Sequence, residues 1–137
     1  MPKVVVDTNV LISGLLGSGP PNRILDLWRD NTFVMVTSIN LINELIATLH
    51  RPKIFQRILK EDMNNLIELI EERATLVSPS INLKVSRDPH DDKLLECAIQ
   101  SKSDVIVTGD ADLLVLHPFR GIDILSPVKF LERFDTE

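Results

Sequence analysis

Lys3-Val4-Val5-Val6-Asp7-Thr8-Asn9, read beside Val105-Ile106-Val107-Thr108-Gly109-Asp110, decides the fold. Both stretches are short β-branched runs, the pattern of strands buried on both faces of a parallel sheet. Each run gives out at or just before an aspartate. Asp7 and Asp110 are therefore predicted at the carboxyl ends of two buried strands, along the edge where open α/β sheets bind ligands.

Outward from these runs, strand and helix signals alternate. A helix is predicted over Asn9 to Leu16, broken by Gly17-Ser18-Gly19-Pro20-Pro21, and a second one opens on the prolines and carries Ile24, Leu25 and Trp28. Phe33 to Val36 reads as the next strand. Ser38 is the predicted N-cap of a helix through Leu41, Ile42, Leu45, Ile46 and Leu49, with Glu44 one to two turns in. Amphipathic pieces follow at Ile54 to Leu59 and Glu61 to Ala74, then a short strand at Thr75-Leu76-Val77. Pro89 should start a helix whose residues Asp91, Leu94, Leu95 and Ala98 share a face, which puts Asp91 on the same stripe as buried leucines. Strand Asp104 to Val107, a short helix through Leu113 and Leu114, strand Ile122 to Leu125 and a helix capped by Ser126 complete the chain. Strands separated by helices imply crossover connections, a parallel sheet and the α/β class.

The 137 residues, 44% of them hydrophobic, suit a single domain over residues 1–137. Cys97 is the single cysteine, so no intrachain disulfide forms, in keeping with a reducing cytosol. The valine run is too short for an export signal or a membrane span, so the expected location is cytoplasmic, with no membrane partner. A net charge of −5 excludes a strongly basic nucleic-acid coat, but not a nuclease whose carboxylates gather at one edge and whose bound cations reverse the local field. Arg23, Arg51, Lys53, Arg57 and Lys60 are candidates for a separate basic rim, or for ordinary solvated helix faces.

Four acids, Asp7, Glu44, Asp91 and Asp110, recur where strand-like runs end or within helices that follow them. Converging carboxylates repel one another unless a cation lies between them, and Mg2+ or Mn2+ suits oxygen ligands. In-line attack of water on a phosphodiester is the chemistry such a site supports. Asn9 and Thr108 lie beside the acids as polar groups able to hydrogen-bond a carboxylate or a phosphate. Gly109 is expected to permit a tight turn into Asp110.

Asp7-Thr8-Asn9-Val10-Leu11-Ile12, Glu44-Leu45, Arg87-Asp88-Pro89-His90-Asp91-Asp92-Lys93-Leu94-Leu95 and Val105 through Leu114, in this order, resemble the PIN domain. The likeness spans essentially the whole chain, and is strongest to the small prokaryotic toxin branch of toxin–antitoxin systems, the VapC group. It implies a three-layer α/β/α sandwich and an Mg2+- or Mn2+-dependent ribonuclease acting on RNA. By resemblance the catalytic acids fall on Asp7, Glu44, Asp91 and Asp110, and the metal ligands on Asp7, Asp91, Asp110 and the accessory Asp112. Asp88 and Asp92 flank the third position and compete for it. The resemblance further implies self-association as a dimer or higher homo-oligomer and a small antitoxin partner.

Each acid also has a local explanation. Asp7, Asp91, Asp110 and Asp112 would serve as helix caps or first-turn acids, and Glu44 as an exposed helix residue. A haloacid-dehalogenase-type phosphotransferase would need an aspartate where Asn9 stands, and a response-regulator receiver an acidic pair and a lysine that are not evident. A catalytically idle PIN-like module binding RNA or protein remains the alternative function. His50, His90 and His117 have no metal-ligand spacing and read as surface or loop residues. Cys97 reads as a small core residue, Trp28 and the phenylalanines as core or interface, with Phe55 or Phe119 as candidates for exposure. The apolar stripes between residues 54 and 74 fit either a dimer surface or core.

Overall fold

Val4, Val5 and Val6 are all buried, yet they face different ways. Val4 and Val6 belong to one hydrophobic cluster and Val5 to the other, as the period-two geometry of a strand requires. The computed structural model describes residues 1–136. In it the first strand, β1 (Lys3–Val6), lies at the centre of a five-stranded all-parallel sheet. The other strands are β2 (Val34–Ser38), β3 (Thr75–Val77), β4 (Val105–Val107) and β5 (Asp123–Leu125), in the order β3-β2-β1-β4-β5. Register places Val4 beside both Met35 and Val105, and Val6 beside Val107.

The helices are α1 (Thr8–Leu16), α2 (Pro20–Arg29), α3 (Ile39–Leu49), α4 (Pro52–Phe55), α5 (Lys60–Arg73), α6 (Pro89–Ser101), α7 (Ala111–Leu114) and α8 (Pro127–Phe134). Residues of α1, α2, α5 and α8 pack with Val4, Val6, Met35, Val105 and Val107 on one face. Leu94, Leu95, Cys97 and Ala98 of α6, with Leu113 of α7, cover Val5, Val36, Ile106 and Ile124 on the other. This is the α/β/α sandwich. Burial of side chains such as Leu94 and Leu95, at 0% exposure, contributes about 1.5–3 kcal/mol each. Helix α3 joins the layers, since Leu41 lies in the α6 cluster and Leu45 and Leu49 in the other.

Local signals are realised at the helix starts. Ser38 accepts from Leu41 N, Ser126 accepts from Lys129 N, and prolines occupy the first turn of α2, α4, α6 and α8. Some expectations change. The helix read over Ile54 to Leu59 stops at Phe55, leaving Ile58 buried beneath a turn. Met63, Leu66 and Ile70 of α5 are core residues, so that apolar stripe is spent inside the molecule. Gly109 does not have a positive φ, and a Cβ there would meet nothing within 4 Å, so the turn into Asp110 does not depend on glycine. The close approach falls at Gly14 instead, where a Cβ would lie 2.6 Å from Leu25 Cδ1 and 3.0 Å from the Pro21 carbonyl, so that Leu25 would have to shift as α1 packs on α2. Among the described residues, no helix is long and apolar enough to cross a membrane.

Candidate metal centre at the sheet edge

The chain builds β1, β2 and β3 outward in one direction, then crosses back to place β4 on the other side of β1. Reversal of strand order leaves a crevice at the carboxyl ends of the two strands flanking the switch, here β1 and β4. Asp7 ends β1 and Thr108-Gly109-Asp110 follows β4, with Asp7 N donating to the Val107 carbonyl at 2.9 Å. The crossover from β3 to β4 brings the start of α6 to the same edge, and α3 brings Glu44. Residues dispersed over more than 100 positions therefore meet at one place.

One half of the site is closed by internal contacts. Asp7 is 1% exposed and caps α1; its Oδ1 accepts from Asn9 N at 3.1 Å and from His90 Nε2 at 3.0 Å, and its Oδ2 accepts from Thr108 Oγ1 at 2.8 Å. The other nitrogen of His90, Nδ1, lies 2.7 Å from Glu44 Oε1, a charge contact without hydrogen-bond alignment, and Glu44 Oε2 is buried with no partner. Burial alone would raise the Asp7 pKa, but hydrogen bonds from His90 and Thr108 and the imidazole charge outweigh it and hold the carboxyl below its ordinary value. The hydrogen bond to Asp7, opposed by burial and helped by Glu44, raises His90 to about 9. His90 is thus an imidazolium held between two carboxylates.

The other half lacks such a cation. Asp88, Asp91 and Asp110 each direct a carboxylate oxygen into a cluster whose atoms lie within 4.8 Å of one another. Asp91 is 0% exposed; Ser86 Oγ donates to its Oδ2 at 3.3 Å, while its Oδ1 is buried with no partner. Burial, then a hydrogen bond shared with Asp110 and the charges of Asp110 and Asp88, push the Asp91 carboxyl up to about 7. Thr108 joins the halves, since its hydroxyl donates to Asp7 and accepts from Asp110 N at 3.0 Å.

The structure thus assembles Asp7, Glu44, Asp91, Asp110 and Thr108 at one edge, with Asn9 exposed beside them. Asp112 stands apart, its carboxylate paired with Arg87 at 2.9 and 3.0 Å. Of the residues competing for the third position, Asp92 is occupied with the preceding loop, accepting from Val85 N at 3.0 Å and Ser86 N at 2.9 Å. Asp88 joins Asp91 in the cluster, and the two do not exclude each other. Asp110 and Asp88 also cap α7 and α6, so capping and site geometry coincide in the same side chains.

One participant, His90, escaped the sequence reading, and another, Asp88, stood in it only as a competitor for the third position. Asp88 is the N-cap of α6, and its i, i+3 relation to Asp91 places both on one side of the first turn, a signal present in the spacing. His90, read as a surface or loop residue, has only 12% of its side chain exposed. Its i, i+4 relation to Leu94 puts it on the buried stripe as surely as Asp91. Cys97 is buried as expected, and burial pushes its thiol up to about 12.

Comparison with known proteins agrees with this geometry. The family model described as PIN domain matches residues 3–112. The chain is 31% identical over 143 aligned positions to the uncharacterized protein MJ1680 of Methanocaldococcus jannaschii, covering 97% of this chain and 92% of that protein. Its fold is similar to a solved structure described as a domain of a functionally unknown protein from Methanocaldococcus jannaschii, with TM-score 0.57, 20% identity, and 90% and 89% of the two chains covered. PIN domains are generally nucleases that bind divalent metals, and an acidic cluster is present in this one. With the family model matching most of its length, the chain belongs to the PIN domain family.

Proposed function

We propose that the protein is a Mg2+- or Mn2+-dependent endoribonuclease that hydrolyses RNA phosphodiester bonds, with the cation held by Asp88, Asp91 and Asp110. The observation that carries this reading is the buried, unpartnered Asp91 Oδ1 facing two further carboxylates. Such oxygens are costly to bury unless something positive meets them, and an all-oxygen donor set fits a hard divalent ion. When bound, the cation would lower the pKa of a coordinated water and neutralise charge developing on the phosphate.

The chain's own residues supply the rest. Thr108 orients the Asp7 carboxylate and the backbone entering Asp110 with one hydroxyl. Glu44 presents an unpartnered oxygen, suited to accept a proton from the attacking water or to orient it. Asn9, exposed at the mouth, offers an amide to a phosphate oxygen. The placement of Asp112 beside exposed Arg87 suits a role at the rim, and Arg87 is a cation close enough to the cluster to meet the RNA backbone.

Sequence resemblance to the VapC group supports the toxin role, a small antitoxin and a homodimer or higher homo-oligomer. Purification of the native protein with or without a small companion, and its mass in solution, test those parts directly. One observation favours a second reading, a catalytically idle RNA- or protein-binding module. His90 lies between Asp7 and Glu44 and offsets one of their two charges within the chain itself, so Asp7 and Glu44 are less open to a metal than the rest of the acidic set.

Cleavage of mixed-sequence single-stranded RNA with and without Mn2+ decides between them, using wild type, Asp91→Asn and Asp110→Asn. The nuclease reading expects metal-dependent cutting that both substitutions abolish. Folded wild type that leaves several RNAs intact with either metal would defeat it.

A further inference from the structure

We infer that His90 closes the Asp7–Glu44 half of the acidic pocket to metal, so that the centre takes a single divalent cation, at Asp88, Asp91 and Asp110. This rests on the cation site proposed above and adds to it a limit on the number of ions. The ring lies between the two carboxylates, with Nε2 3.0 Å from Asp7 Oδ1 and Nδ1 2.7 Å from Glu44 Oε1. A Mg2+ or Mn2+ ion shared by Asp7 and Glu44 would stand about 2.0–2.6 Å from an oxygen of each, within the space the ring fills.

Asp7 has little capacity left for such an ion. A carboxylate offers about four lone-pair sites, and the hydrogen bonds from Asn9 N, His90 and Thr108 use three of them. The ring is also not free to swing out with its backbone. His90 N donates to Asp88 Oδ1 at 3.0 Å, which fixes the root of the side chain to a residue of the neighbouring cluster. The Asp88, Asp91 and Asp110 cluster is the more open, with Asp88 Oδ1 and Asp110 Oδ1 each accepting one backbone N–H. Asp91 Oδ1 has no partner, and among the described residues this is the one group of three or more metal-ligating side chains whose donor atoms converge within 4.8 Å. His90 therefore acts as a positioning residue, holding Asp7 and Glu44 in place where a second ion would otherwise do so.

The test counts ions. Mn2+ binding is measured by calorimetry, with free Mn2+ quantified by electron paramagnetic resonance, for wild type, His90→Ala, His90→Ala/Asp7→Asn and Asp91→Asn. Expected are one ion for wild type, two for His90→Ala, one again for the double variant and none for Asp91→Asn. Two ions in wild type, or one in folded His90→Ala, overturns the inference and leaves the nuclease proposal standing. No ion in wild type brings down the cation site and the inference together. Should His90→Ala fail to fold by circular dichroism, wild type alone decides through 15N resonances of the His90 imidazole. Retention of the Nε2–H hydrogen bond under saturating Mg2+ supports the inference, and release of the ring by Mg2+ overturns it.

Discussion

The two halves of the acidic pocket carry similar carboxylates but differ in how their charge is balanced. Around Asp7 every carboxylate oxygen is engaged, and an imidazolium lies between Asp7 and Glu44. Around Asp91 three carboxylates face one another, and an oxygen is buried without a partner. The difference shows in the titration of the acids, one carboxyl held below its ordinary value and the other raised to about 7. Within one site, an internal cation offsets one of two carboxylate charges on one side, and three carboxylates face one another on the other. Stability is expected to reside in the first half and metal chemistry in the second.

The sharpest way to break this comparison is Asp91→Asn. Loss of a cation ligand should reduce Mn2+-dependent RNA cleavage on the order of 1000-fold or more, several kcal/mol of transition-state stabilisation. Metal-free thermal stability should be unchanged or higher, because a buried repelled acid has been removed. A large fall in metal-free Tm alongside the lost cleavage would contradict the division.

Asp7→Ala should do the reverse in kind. It removes a helix cap and strands His90 and Thr108, so denaturant melts should reveal a loss of about 3–5 kcal/mol, the range for breaking a buried ion pair. Stability equal to wild type would mean that the closed half is not structural.

The pH dependence of metal-free stability separates the halves without mutation. Asp91 rises from 3.8 to about 7 on folding, so between these values the unfolded carboxyl is ionised while the folded one keeps its proton. Its contribution therefore weakens as pH rises through that window. His90 rises from 6.5 to about 9, so its contribution is complete below 6.5 and is lost as pH climbs towards 9. Saturating Mg2+ should reverse the Asp91 part, stabilising the protein more as pH passes 7, because the cation binds the ionised carboxylate. Thermal melts across pH 4–9 with EDTA or Mg2+ measure both, and identical profiles would count against the open half being a cation site.

Thr108→Val is a smaller perturbation. It leaves Asp7 Oδ2 and Asp110 N without their shared hydroxyl, and should cost about 1–3 kcal/mol in chemical denaturation. Smallest is Arg87→Ala. The Arg87–Asp112 pair is solvent-exposed, so Tm should be unchanged, whereas affinity for RNA at low salt, followed by fluorescence anisotropy, should fall. Equal affinity would remove Arg87 from the rim.

Much of the fold was legible because its strongest signals are local. Val4 through Val6 and Val105 through Val107 announce two-sided burial, Pro89 and Pro127 mark helix starts, and Ser38 and Ser126 cap as their types predict. The site was legible to the extent that its acids sit where those signals end. Asp88 was left as a competitor because its value depends on sharing space with Asp110, which arrives from a different strand. His90 was misread because metal-ligand spacing is a search for sequence neighbours, whereas its partners lie 83 and 46 positions away.

The sequence by itself determined a parallel α/β sheet with aspartates at the ends of its central strands, since side-chain periodicity and capping chemistry act over a few residues. Tertiary structure alone decided how the acids divide, Asp7 and Glu44 to an internal imidazolium and Asp88, Asp91 and Asp110 to a shared opening. Charge pairing and desolvation depend on distances through space, and those are fixed only when β4 returns beside β1 and α3 and α6 pack over the edge between them.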